Sequence, residues 1–116
     1  ILVIDDDAVH RNHLKEFLEE NRFKVTTAAD GDEGLDKFAE DFTLKLVICD
    51  LYMPNMDGLE VAVGIKDSGR KIPVIILTTE IDPGLIRQGD LAEVKRWIIK
   101  PFNGASVLKG ISCLLC

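Results

Sequence analysis

The chain has 116 residues, 47% of them hydrophobic and 29% charged, which is enough for one packed core and too few for two domains of ordinary size. Twenty acidic against fourteen basic side chains leave a net charge of −6, which repels phosphate backbones and anionic headgroups and argues against direct nucleic-acid binding by this segment. No apolar run approaches the roughly 20 residues of a membrane span, and the apolar opening is too short for the core of a signal peptide, so a soluble cytoplasmic chain with no membrane partner is expected. The opening lacks a methionine, which is compatible with a piece of a longer protein.

Taken in order, the first apolar run covers residues 1–4 and ends in Asp5-Asp6-Asp7. Leu14, Phe17 and Leu18 follow at i, i+3, i+4, an amphipathic helix whose first turn one of the aspartates, Asp7 by position, would cap. A mixed run over 24–28 suits an edge strand, and Leu35, Phe38 and Ala39 repeat the helical spacing. The third run, 46–49, leads into Asp50; Asp57 is placed to cap the helix marked by Leu59, Ala62 and Val63, with Gly58 allowing a tight approach. The fourth run, 74–77, leads into Thr78-Thr79, and Asp82-Pro83 supplies a cap and a first-turn proline to a helix that Gly84 and Gly89 weaken. The fifth, 97–99, leads into Lys100-Pro101 and a last helix containing Gly104 and Gly110. Strand and helix alternating five times imply a doubly wound α/β fold: a parallel sheet with right-handed crossovers and helices on both faces. The continuous apolar runs, Trp97-Ile98-Ile99 included, are expected to be buried on both faces.

Cys49, Cys113 and Cys116 are odd in number and lie in a chain without a secretion signal, so reduced thiols are expected. Cys113 and Cys116 spell Cys-x-x-Cys, but Leu108, Ile111 and Leu115 put the pair at a helix C-terminus, where the dipole disfavours thiolate. Zinc would need four ligands, and only His10 and His13 stand elsewhere, so neither redox nor metal chemistry is read there. Both histidines are read as solvated, and Cys49 as a small buried hydrophobe.

In open α/β sheets ligands bind beyond the carboxyl ends of the strands, the end at which Asp5, Asp6, Asp50, Thr78 and Lys100 all leave the sheet. Two like charges about 4 Å apart repel by about 4 kcal/mol at an effective dielectric near 20, so ionised Asp5, Asp6 and Asp50 call for a cation. Oxygen ligands with few carboxylates suit Mg²⁺. Asp50 could then attack a phosphoryl group with its free oxygen, Lys100 could supply a point charge, and Thr78 a hydroxyl donor. The plain alternatives are a solvated acidic loop, a turn lysine, and a threonine bonded to its local backbone.

Four segments in order carry a resemblance: Ile-Leu-Val-Ile-Asp-Asp-Asp from Ile1, Leu-Val-Ile-Cys-Asp-Leu-Tyr-Met-Pro-Asn-Met-Asp-Gly from Leu46, Val-Ile-Ile-Leu-Thr-Thr from Val74, and Trp-Ile-Ile-Lys-Pro-Phe from Trp97. Over essentially its full length, 1–116, the chain resembles the receiver domain of bacterial two-component response regulators. The resemblance implies a flavodoxin-like sheet in the order 2-1-3-4-5. It implies Asp50 as the phosphoacceptor and Asp5, Asp6 and Asp50 with the backbone carbonyl of Tyr52 as Mg²⁺ ligands. Thr78 falls at the switch hydroxyl, Lys100 at its charge partner, the Lys100-Pro101 bond at a cis bond, and Trp97 at an aromatic that turns inward on activation. It further implies a histidine kinase or histidine phosphotransfer protein upstream and an output domain or protein downstream, with no catalysis beyond the domain's own phosphoryl chemistry. Tyr52, Thr79 and Glu80 depart from the usual residues beside the acyl phosphate, and residues 84–96 depart from the usual signalling surface. Two other readings are an aspartyl-nucleophile phosphatase of the haloacid dehalogenase kind, which would carry a second aspartate where Tyr52 stands, and a pseudo-receiver that has lost the chemistry.

Overall fold

The computed structural model describes residues 1–115, so Cys116, and with it the second half of the Cys-x-x-Cys pair, lies outside the described residues. The elements are β1 (Leu2–Ile4), α1 (Ala8–Glu20), β2 (Thr26–Ala28), α2 (Gly31–Glu40), β3 (Val47–Asp50), α3 (Gly58–Asp67), β4 (Val74–Thr78), α4 (Pro83–Leu91), β5 (Arg96–Ile99) and α5 (Gly104–Leu115). All pairings are parallel and the order is β2-β1-β3-β4-β5, the doubly wound sheet expected.

The apolar runs feed two cores in alternation, as a pleated strand requires. Leu2, Ile4, Val47, Cys49, Val74 and Ile76 face α2, α3 and α4. Val3, Ile48, Ile75, Leu77 and Ile98 face α1 and α5 through Leu14, Leu18, Val107 and Ile111. The mixed second run lies at an edge, as read, with its strand confined to Thr26–Ala28. Trp97-Ile98-Ile99 departs from expectation: β5 is the other edge, and Ile99, its last residue, is 55% exposed.

The caps follow the sequence. Asp7 accepts from the backbone N–H groups of Val9 and His10, and Asp82 accepts from Leu85 with Pro83 in the first turn. Asp57 and Glu60 form a reciprocal capping box on α3. Two helix faces are rotated from the reading. In α2 the buried positions are Gly31, Gly34 and Phe38, and Ala39 is exposed, because a Cβ at residue 34 would stand 2.3 Å from Cδ1 of Ile4 and only glycine lets the helix seat there. In α3 the buried side is Leu59, Val61, Ala62 and Ile65, and Val63 is turned outward. Glycines also do not break α4 or α5; Gly89 is where α4 meets the Trp97 ring, and a Cβ there would be 2.6 Å from Cζ2.

Candidate functional site

The carboxyl edge of the sheet collects the charged residues. β1 ends at Ile4, so Asp5 and Asp6 follow at once; Asp50 and Thr78 are the last residues of β3 and β4; Lys100 follows β5. Asp5 is fixed from three directions. Its N–H donates to the Ala28 carbonyl at 3.1 Å, its Oδ1 accepts from the Asp7 N–H at 2.9 Å, and its carbonyl accepts from Arg11 Nη1 at 2.7 Å. The main chain of Asp50 runs against Gly58, where a Cβ would lie 2.6 Å from the Asp50 carbonyl oxygen, so the tight approach read for this glycine is present.

Asp5, Asp6 and Asp50 each offer a carboxylate oxygen, and these oxygens lie within 4.8 Å of one another. Asp5 and Asp50 are buried, and Asp6 is exposed. The Lys100 ammonium pairs with Asp50 Oδ1 and stands 3.9 Å from Asp5 Oδ2. Burial pushes the Asp50 carboxyl above the usual carboxylate range; the hydrogen bond and charge of Lys100 oppose that shift, and the charges of Asp5 and Asp6 add to it. By count, the three carboxylates outnumber the one ammonium paired with them. A cluster of oxygen donors with one open side and residual negative charge fits a hard divalent cation.

Thr78 is buried at the rim, with its hydroxyl donating to the Glu80 carbonyl at 3.0 Å, the local backbone bond named among the alternatives. The Lys100 N–H donates to the Thr78 carbonyl at 2.8 Å, tying the two strand ends together, and the Lys100-Pro101 bond is cis. The Tyr52 side chain is exposed, as are Thr79 and Glu80. Trp97 packs against the core layer under α2, α3 and α4, with its ring against Gly89. His10 and His13 are exposed, in keeping with a solvated role.

Sequence reading missed Arg11. Its signal was its place one turn after the Asp7 cap, the first lysine or arginine after three acids, from where a long side chain on α1 reaches back over the acidic loop.

With this geometry in place, comparison with known proteins gives a consistent answer. The family model for the response regulator receiver domain matches residues 1–112. The chain is 35% identical over 115 residues to the transcriptional regulatory protein ResD of Bacillus subtilis, covering 99% of this chain and 47% of ResD. It is 36% identical over 115 residues to the response regulator MprA of Mycobacterium tuberculosis, covering 99% of this chain and 50% of MprA. The chain thus spans about half the length of these curated relatives. Among solved structures, the Vibrio cholerae chemotaxis protein CheY4 superposes with a TM-score of 0.94 at 31% identity, covering 98% of this chain and 96% of CheY4. The Francisella response regulator 1452 receiver domain gives 0.89 at 26% identity, covering 98% and 93%. The chain belongs to the response regulator receiver domain family, the signalling switches of two-component systems, and has its CheY-like fold. Among the described residues no helix is long and apolar enough to cross a membrane.

Proposed function

We propose that residues 1–116 form one receiver domain that takes a phosphoryl group onto Asp50 from a histidine kinase or histidine phosphotransfer protein in the cytoplasm, and passes the change to an output domain or protein. The observation that carries this reading is the convergence of two further carboxylates, Asp5 and Asp6, and one ammonium, Lys100, on buried Asp50 at the strand ends. In the transfer, an Asp50 oxygen bonds to phosphorus as the phosphorus–nitrogen bond of the partner's phosphohistidine breaks. The electron pair returns to the imidazole, which takes up a proton.

Asp5, Asp6 and Asp50, with the backbone carbonyl of Tyr52, would hold Mg²⁺, which when bound supplies positive charge against the phosphoryl oxygens. Lys100 already lies on Asp50 and supplies a second positive charge beside the carboxylate that would carry the phosphoryl group. The Thr78 hydroxyl would leave the Glu80 carbonyl for a phosphoryl oxygen. A neutral hydrogen bond is worth about 0.5–1.5 kcal/mol net and one to a charged acceptor about 1.5–3 kcal/mol, so the charged acceptor wins. Movement of Thr78 at the end of β4 would be felt on the adjacent β5, where Thr78 pairs with Ile99 and Ile76 with Trp97. The domain catalyses only its own phosphorylation and dephosphorylation in this reading, and exposed Tyr52, Thr79 and Glu80 flank the path of water to the acyl phosphate.

The test is incubation with Mg²⁺ and acetyl phosphate, read by intact mass. One alkali-labile phosphoryl group is expected on the native chain and none on Asp50→Asn. A gain that persists in Asp50→Asn would overturn the assignment.

A further inference from the structure

Turning Val63 outward leaves α3 with an apolar side chain facing a groove rather than the sheet. Val63 is 43% exposed and Leu91, the last residue of α4, is 75% exposed. Together with Met56, Leu59 and Ala92 they line a groove of about 630 Å³ between α3 and α4. The charged residues lining it are acidic, Asp57, Glu60 and Asp67, while the neighbouring Lys66 donates its Nζ to the Leu91 carbonyl at 2.8 Å. Glu60 and Asp67 are seven residues apart on α3, two helical turns or about 10.5 Å along the axis, with Val63 between them.

We propose that this groove docks an amphipathic helix of a protein partner, with its apolar side chains entering between Val63 and Leu91 and its lysines or arginines meeting Glu60 and Asp67. The acids recur with a two-turn period, and a helix lying along α3 can present bases seven residues apart in the same register, with apolar residues at i, i+3 and i+4 between them. A second copy of this chain is a poor occupant, because each copy carries −6. The groove lies outside the acidic cluster and the inference is independent of phosphorylation at Asp50.

A probe is a fluorescein-labelled 15-residue helical peptide with leucines at i, i+3, i+4 and i+7 and lysines seven apart, titrated with the intact chain and read by anisotropy at physiological salt. Leu91→Asp and Val63→Asp each make the protein more acidic, so attraction by charge alone would tighten binding to them. Docking in the groove predicts the opposite, a loss of roughly tenfold in each. Because Leu91 and Val63 are exposed, both variants should keep the native circular dichroism, and either suffices if the other does not fold. Asp67→Lys should weaken binding severalfold, and a scrambled peptide of the same composition should bind roughly tenfold more weakly than the amphipathic one. Equal or tighter binding to the aspartate variants, or equal binding of the scrambled peptide, would overturn the proposal.

Discussion

Asp50 is a carboxylate held where its charge is costly. Burial outweighs the stabilising pull of Lys100, so its folded pKa lies above the unfolded value. A group shifted in that direction contributes stability that is fully present below the unfolded pKa and is lost as pH rises through the folded one. In the absence of divalent ions, Asp50→Asn should therefore melt above the native chain at neutral pH, with the gap narrowing as the pH falls to about 4. Thermal melts of the two proteins in parallel at several pH values check this, and a gap that stays constant or widens on acidification would contradict it. Cys49, next door, is the inert counterpart: burial and the nearby aspartates push its thiol well above its ordinary range, which leaves it a packing residue of the core.

At the scale of elements, two contacts decide how neighbouring pieces sit. The Gly89 contact lets the Trp97 indole lie against α4. Gly89→Ala should cost about 1–3 kcal/mol and shift tryptophan emission, and adding Trp97→Phe should recover part of the loss by removing the atoms in the way. Urea titrations of the four proteins give the coupling. At the opposite end of the sheet, Arg70 donates to the carbonyls of Phe38 and Asp41 and stacks over the Phe38 and Phe42 rings at 4.0 and 4.7 Å, clamping the end of α2 to the chain leaving α3. Arg70→Ala should cost about 2 kcal/mol in urea, and Arg70→Lys should restore little, since an ammonium cannot bond both carbonyls and stack in one plane. Neither contact was legible in the sequence. Helical period places Gly89 and Arg70 on helices or their ends, but a glycine lowers propensity whether or not a ring lies against it, and an arginine in a charged stretch reads as solvated. The same limit misplaced Ala39 and Val63: i, i+3, i+4 finds an apolar stripe, whereas the sheet and the neighbouring helix select which side of it is covered.

For the molecule as a whole, the proposed Mg²⁺ site would make stability depend on a cation. A ligand that binds only the folded state stabilises by about 2.7 kcal/mol at a hundred times its Kd. Mg²⁺ should raise the melting temperature of the native chain and reverse its order relative to Asp50→Asn, while Asp6→Asn should lose most of the rise. Calorimetric scans with and without the ion read both effects, and an equal rise in Asp6→Asn would remove that residue from the ligand set. Asp6 is the informative choice because its exposure makes the substitution mild for the fold.

The sequence alone determined the order and type of the elements, the parallel doubly wound sheet, the caps at Asp7, Asp57 and Asp82, and the acidic and basic residues at the strand ends. Each of these follows from local period, local hydrogen-bonding capacity and the rule that strands joined by helices run parallel. Only the tertiary structure decided that Lys100 lies on Asp50, that Arg11 holds the Asp5 carbonyl, that the Thr78 hydroxyl bonds to Glu80, and that α3 and α4 leave an acidic-edged groove open between them. Those are outcomes of side chains from separate elements competing for the same few ångströms, and no period within one element encodes which of them prevails.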